Sequence, residues 1–348
     1  MKAAIITKYK QITPMVTEVP VPTIAPTDVL VKIVAASVNP IDLKTKDGDL
    51  RLLLQYTMPL IMGSDFAGVI TAVGDQVPGF KVGDAVYGRA PKDRIGTFAE
   101  FIAIDHQAIA LKPANLNFEE AAAIPLVGLT SYQALHDIMN IQPGQKVFIP
   151  GGSGGIGIIA IQLAKYLGAY VATTTSAKHF DLVQSLGADK IIDYHQQDFT
   201  DVLSHYDAVL DTRGGQSLEA AFQIIKPGGQ IVSIAGLPNA RFGKDYGLPI
   251  WKQWLLGLAT RKLSQLEQQA QATYSFLFMQ PSGQQLVRLR QLIEQDVIKP
   301  VIDRIIPLTD INDALEYSHS GHATGKIIIS IQPKLANFKS IFLRSHDQ

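Results

Sequence analysis

Gly152, Gly154 and Gly157 have the spacing G-x-G-x-x-G and stand between an apolar run, Lys146-Val-Phe-Ile-Pro150, and a helical pattern, Ile158-Ile-Ala-Ile-Gln-Leu-Ala-Lys165. The chemistry this spacing serves is pyrophosphate binding. The first glycine permits a tight turn, the second lets phosphate approach the backbone, and the third lets the helix lie close on the strand. Ser153, Gly155 and Ile156 complete the turn, where unpaired N–H groups and the positive end of the helix dipole favour an anion.

The second chemical question is which nucleotide the turn would hold. A unit that prefers NAD carries a carboxylate about 20 positions after the glycines to bind the ribose 2′-hydroxyl. That stretch here is Thr173-Thr-Thr-Ser-Ala-Lys178. Thr174, Ser176 and Lys178 offer hydroxyls and a cation to a 2′-phosphate, and Tyr194 lies beside the same pocket. The expected cofactor is NADPH. Read singly, each of these residues could equally be an ordinary strand-end or cap residue.

Composition narrows what else the chain can do. There are no cysteines, which excludes disulfides, thiolate zinc sites, iron–sulfur clusters and a cysteine nucleophile. The eight histidines are scattered without ligand spacing. Basic and acidic residues balance at 31 each, so no charge excess points to nucleic acid or to an anionic membrane. The N-terminal apolar run is too short for a signal peptide, and no long uncharged apolar stretch occurs, so the chain is expected in the cytosol.

The elements that would position these groups follow from hydrophobic pattern. Lys146 to Pro150 begins a series continued by Tyr170 to Thr175, Asp189 to Tyr194, Tyr206 to Asp211, Gln230 to Ala235 and Tyr274 to Met279. These runs are apolar throughout rather than alternating, as in parallel strands buried on both faces. Six of them make a doubly wound Rossmann domain, expected in the order 3-2-1-4-5-6 over residues 126–296. Residues 1–125 have short β-rich runs between proline and glycine turns and predict a mostly antiparallel domain. The strand-like segments Lys299 to Asp303 and Gly325 to Ser330 are expected to return to it, so residues 297–348 belong with 1–125 and a cleft separates the two domains. Residues after about 332 read as an appended tail. Trp251 and Trp254, three apart, share a helical face: core packing is the default, a cap on the cleft the alternative.

With both domains placed, the chain resembles the medium-chain dehydrogenase/reductase family, in its zinc-independent quinone oxidoreductase and enone reductase branch. The resemblance rests on Ser37-Val-Asn-Pro-Ile-Asp-Leu-Lys44, Gly63-Ser-Asp-Phe-Ala-Gly-Val69, Val82-Gly-Asp-Ala-Val-Tyr87, Gly128-Leu-Thr-Ser-Tyr-Gln-Ala134, the glycine turn and Ser185-Leu-Gly-Ala-Asp189. It implies a GroES-like catalytic domain beside the Rossmann domain. Where zinc alcohol dehydrogenases of this family place a cysteine and a histidine, this chain has Asn39 and Ser64. The implied chemistry is metal-free hydride transfer from NADPH to a quinone or to the activated C=C of a small electrophilic carbonyl compound, with hydrogen-bond donors at the developing oxyanion. Asn39 and Lys44 are the implied catalytic residues, Lys44 bonding the carbonyl oxygen or helping to supply the enol proton. Tyr56 is a second candidate donor, against the reading that it is simply packed. Asp42 is expected to hold the turn. Thr130 resembles the threonine that meets the nicotinamide ribose, and Ala235 and Gly236 would let backbone groups approach the carboxamide. A homodimer through the edge strand 274–279 is expected. The competing functions are a zinc-type alcohol or aldehyde dehydrogenase and a nonenzymatic NADPH-binding protein, crystallin-like or RNA-binding.

Overall fold

Strand Lys146–Pro150 lies at the centre of a six-stranded parallel sheet, flanked by Tyr170–Thr175 on one side and Tyr206–Asp211 on the other. The computed structural model describes residues 1–331. Numbered from Lys146–Pro150, the strand order is 3-2-1-4-5-6, as the sequence pattern predicts, and the outer members are Lys190–Asp193, Ile225–Ser233 and Thr273–Phe276. Val147, Phe148, Ile149, Val171, Val209 and Ile231 are fully buried, so helices must cover both faces of the sheet. The glycines of Leu167-Gly168-Ala169 and Leu186-Gly187-Ala188 take φ of 82° and 101°, which lets each preceding helix end in a left-handed turn.

The N-terminal third supplies five strands of a seven-stranded sheet around Asp28–Val38, which pairs antiparallel with Asp65–Val73 and Phe101–Asp105. The chain returns to it after the parallel sheet: Lys326–Ser330 pairs antiparallel with the end of Asp28–Val38, and Ile302–Pro307 adds outside it. Both C-terminal strands join this sheet, the first as Ile302–Pro307 where the sequence pattern suggests Lys299 to Asp303. One buried cluster joins the two sheets, running from Ala35, Ala67 and Tyr87 through Ile124 and Leu129 to Ile149 and Ile158. Tyr87 Oη also donates to Leu286 O at 2.7 Å.

The structure changes three expectations. The last parallel strand ends at Phe276, because Leu277 makes a final bond to Ser233 O and Leu277, Phe278 and Met279 then bend into the wall of the cleft. Its outer edge is not bare. Tyr274 N donates to Glu267 Oε1 and Tyr274 O accepts from Arg241 Nη2, each at 2.7 Å, and Arg241 and Glu267 are themselves paired. Helices Ala240–Asp245 and Arg261–Ala270 thus supply side chains where a second strand would bond. The tryptophans are neither core nor cleft lining: on helix Ile250–Ala259, Trp251 and Trp254 are 58% and 65% exposed. That helix packs on Ala240–Asp245, and its Leu256 is the buried side chain. The tail after 332 lies outside the described residues.

Candidate active site

Helix Gly155–Tyr166 starts at the glycine turn with no side-chain cap, which leaves the N–H groups of Gly155, Ile156 and Gly157 outside the helical ladder. Gly151 supports the turn with a φ of 75°. A Cβ on Gly152 would fall 2.2 Å from Thr173 Oγ1, and one on Gly157 would fall 2.4 Å from Gly151 O, so both glycines are required by protein packing. A Cβ on Gly154 would meet only Gly151 O, at 3.3 Å. The turn is thus closed toward the protein and open in front of the helix, the shape of an anion cradle. Gly325 N donates to Ser153 O at 3.0 Å, so the returning C-terminal segment is stitched to this turn.

The cleft in front of the turn holds a cavity of about 140 Å³ that opens to solvent. Thr130, Ile156 and Ile234 line it from the parallel-sheet side, Asn39, Lys44, Arg89 and Lys92 from the other, and Phe276 to Met279 close it. Its aromatic wall is a packed cluster. Phe276 and Tyr246 each lie 5.2 Å from Phe242 between ring centroids, and Phe278 lies 5.8 Å from Tyr246.

Below the floor, Asn39 joins a buried polar cluster. Its Nδ2 donates to Asp65 Oδ2 at 3.0 Å, and its Oδ1 accepts from Lys326 Nζ, which also donates to Val38 O at 3.0 Å. Asp42 accepts from Asn39 N at 2.8 Å and from Ser64 Oγ at 3.0 Å, which is the expected turn-holding role. Asp42, Asp65, Arg89 and Lys326 are all buried, two acids against two cations. Burial pushes the Asp42 carboxyl up to about 7 and raises Asp65, while Lys326 and Arg89 pull Asp65 back; burial likewise lowers Lys326. Among the described residues Asp65 Oδ1 and Arg89 Nε have no hydrogen-bond partner.

The other sequence-predicted residues separate into groups. Thr130 is buried at the cleft with its hydroxyl donating to Leu126 O at 2.7 Å. Lys44 is exposed at the rim. Tyr56 is not among the lining residues: its hydroxyl donates to Lys92 O at 2.7 Å, so it braces a loop instead of pointing a free donor at the cavity. Thr174 Oγ1 accepts from Gly151 N at 3.1 Å and so shapes the glycine turn. Ser176 precedes the short helix Ala177–His179 that carries Lys178, and Tyr194, 59% exposed, donates its N–H to Thr175 O at 3.4 Å. Gly236 N donates to Ser233 Oγ at 2.7 Å, so of the predicted pair Ala235 has the weaker bond, at 3.3 Å to the same atom. Sequence reasoning missed Arg89, Lys92, Phe276, Phe278 and Lys326. Lys92 occurs in Pro91-Lys-Asp-Arg94, which reads only as a charged loop.

Residues 25–114 match the alcohol dehydrogenase GroES-like domain and residues 186–329 match the zinc-binding dehydrogenase family. A 2-methylene-furan-3-one reductase of Solanum lycopersicum is 35% identical over 345 residues, 94% of this chain and 79% of that protein. The NADPH-dependent alkenal/one oxidoreductase of Arabidopsis thaliana chloroplasts is 32% identical over 322 residues, 89% and 73% of the two chains. Among solved structures, the quinone oxidoreductase of Coxiella burnetii superposes with a TM-score of 0.81 at 30% identity, covering 95% of this chain and 99% of that one. The chain belongs to the medium-chain dehydrogenase/reductase family, in its quinone oxidoreductase and enone reductase branch.

Zinc, which the name of one matching family implies, does not fit the residues present. The donors at the corresponding place are Asn39, Ser64 and Asp65, and Asp65 is already faced by Lys326 Nζ at 3.9 Å. Thiolate and imidazole ligands are lacking, and an ammonium holds the position a cation would take. Among the described residues no group of three or more His, Cys, Asp or Glu could hold a metal ion.

Proposed function

We propose that this chain is an NADPH-dependent oxidoreductase that reduces quinones or the activated C=C of α,β-unsaturated carbonyl compounds without zinc. The observation that carries the reading is the cleft itself. An uncapped helix start behind a glycine turn opens at one end, and an aromatic wall with cationic side chains lies at the other. The names of the tomato and Arabidopsis relatives agree with it.

A dinucleotide fits these residues. Gly152 to Gly157 with Ser153 would hold the pyrophosphate, Ser176, Lys178 and Tyr194 a 2′-phosphate, and Thr130, Ile156, Ala235 and Gly236 the nicotinamide end. When bound, NADPH supplies a hydride from C4. The work left to the protein is to orient a flat acceptor, exclude water and stabilise negative charge on its oxygen. The apolar wall from Phe276 to Met279 serves the first two tasks. Lys44 at the rim is one of the cations available for the third; Asn39, whose amide is engaged by Asp65 and Lys326, serves as the link between the cleft floor and the buried cluster. Tyr56 acts through the loop it braces.

The division into residues 1–125 with 297–348 and residues 126–296 is part of the proposal, supported by the strands each sheet draws on. So is a cytosolic location; no helix among the described residues is long and apolar enough to cross a membrane. A homodimer through residues 274–279 would require the Arg241–Glu267 clamp on Tyr274 to open. Light scattering of the wild type and of Glu267→Ala tests it, since freeing the edge should promote association.

The test of function is NADPH oxidation with a para-quinone, an enone, an unsaturated aldehyde and a saturated aldehyde, with NADH in parallel and a chelator control. Chelator-resistant turnover of the first three with preference for NADPH is expected. Turnover confined to the saturated aldehyde and abolished by chelator would overturn the reading.

A further inference from the structure

Lys92 is the buried cation of the cleft. It is 7% exposed and lines the cavity beside Phe276 and Phe278. Its Nζ donates to Phe278 O at 3.0 Å and stands 3.7 Å from the centroid of the Phe278 ring and 5.5 Å from that of Tyr246. No carboxylate pairs with it among the described residues. An ammonium has three N–H donors, and one carbonyl takes one of them. The loop is fixed from behind by the Tyr56 hydroxyl on Lys92 O. Lys44, the other lysine of the cavity, is exposed and screened by water.

A charge held in an apolar pocket without a counterion is costly and is kept where it does chemistry or defines a unique structure. Burial, reinforced by the Arg89 guanidinium, lowers the Lys92 ammonium to about 7, so near neutral pH it can both give up and regain a proton. The charged and titratable groups around it are Arg89 and Lys44 in the cavity wall, Asp93 beside it in the loop, Tyr56 behind the loop, and Tyr246, which also feels the Asp93 charge, from the facing helical segment.

We propose that Lys92 is a catalytic residue of the reduction, its ammonium facing the carbonyl or quinone oxygen of the bound acceptor and delivering the proton to it. The proposal rests on the quinone and enone reductase reading. As hydride from C4 of the dihydronicotinamide bonds to the β-carbon, the C=C pair becomes the new bond between Cα and the carbonyl carbon. The C=O pair moves onto oxygen. One N–H bond of Lys92 breaks and its proton goes to that oxygen, giving the enol, or from a quinone the hydroxy-dienone tautomer, which becomes the quinol when the reduced ring carbon gives a proton to solvent and the second oxygen takes one; the neutral amine then takes a proton from solvent. The hydride donor is oxidised by two electrons and the acceptor is reduced by two.

The experiment compares Lys92→Met and Lys92→Arg with the wild type in three readouts. Met matches lysine in length and removes an unpaired buried charge, so the fold should be kept; Arg keeps the charge but does not titrate in this range. For the wild type, kcat with an enone should fall as pH rises through about 7, because the acting form is the ammonium. K92M should lose roughly 10²–10⁴-fold in kcat and this alkaline limb, with KM for NADPH unchanged. K92R should recover part of the rate without recovering the limb. The third readout needs no cofactor: 4-nitrophenol titrated onto the protein should ionise at lower pH on the wild type and on K92R than on K92M, followed by phenolate absorbance. Equal kcat and an unchanged pH profile in K92M, or an equal phenolate shift in all three proteins, would overturn the assignment while leaving the function standing. Absence of quinone and enone turnover in the wild type would instead sink the function, and the phenolate titration would still read the cation.

Discussion

One added methyl group at either of two glycines should damage this protein in opposite ways. At Gly157 a Cβ would lie 2.4 Å from Gly151 O, 2.7 Å from Gly152 Cα and 2.8 Å from Gly152 C. All three are backbone atoms, so relief requires helix Gly155–Tyr166 to move off the turn. Overpacking of this kind costs about 1–3 kcal/mol. At roughly 2–4 °C per kcal/mol for a domain of this size, Gly157→Ala should melt several degrees lower. Gly154 is different. Its φ of −79° suits alanine, and Gly151 O at 3.3 Å is the nearest atom a Cβ would meet, so the fold should lose little. The new methyl instead occupies the approach to the free N–H groups. Losing one hydrogen bond to a charged phosphate costs about 1.5–3 kcal/mol. Since a factor of ten is about 1.4 kcal/mol, Gly154→Ala should weaken NADPH binding by roughly 10–100-fold. Thermal melts followed by circular dichroism and NADPH titration by fluorescence separate the two effects. A stable Gly154→Ala protein that binds NADPH as tightly as the wild type would refute the cradle; a Gly157→Ala protein with unchanged melting would refute the packing analysis.

Three further outcomes follow from the same structure. Lys326→Met leaves the buried Asp65 without its nearest cation and should cost about 3–5 kcal/mol in urea unfolding, part of it recovered when Asp65→Asn is added. Lys178→Ala should raise KM for NADPH a few-fold with KM for NADH unchanged, as suits an exposed charge, and Ser176→Asp should turn the preference toward NADH; no change in either ratio would mean that the 2′-phosphate lies elsewhere. Arg94 makes two hydrogen bonds to Asp28, at 3.0 and 2.7 Å, and holds its carboxyl below the usual aspartate range. A carboxyl depressed on folding stabilises above its unfolded value of about 3.9 and loses that contribution as pH falls through the folded value. Asp28→Asn should therefore lower the urea midpoint at neutral pH, by the order of 1 kcal/mol given the half-exposed Arg94, and the gap should close in acid.

The elements that short-range pattern describes were legible before any coordinates. Lys146–Pro150, Tyr170–Thr175 and Tyr206–Asp211 have the bounds that their apolar runs predict, because strands buried on both faces leave no polar alternation to misread. The glycine turn was legible because its spacing is a local pattern, although Gly152 is also required by Thr173, 21 positions further on. Where expectation failed, a distant part of the chain decided. Trp251 and Trp254 share a helical face as expected, yet among the described residues both rings stay more than half exposed. The edge of Thr273–Phe276 looked open until Arg241 and Glu267 were brought onto it.

Sequence alone determined that a dinucleotide turn exists, that no thiolate can hold a metal, and that two sheets of different kind are present. Only the tertiary structure decided what lines the cleft and what lies beneath its floor. Lys326 reaches Asn39 across 287 residues, and Lys92 reaches Phe278 across 186. Neither lysine has a local signature, since a lysine in a loop or at a strand start is ordinarily solvated and carries its usual charge. What makes each unusual is the loss of water around its ammonium, and that loss occurs only when separate segments close over it.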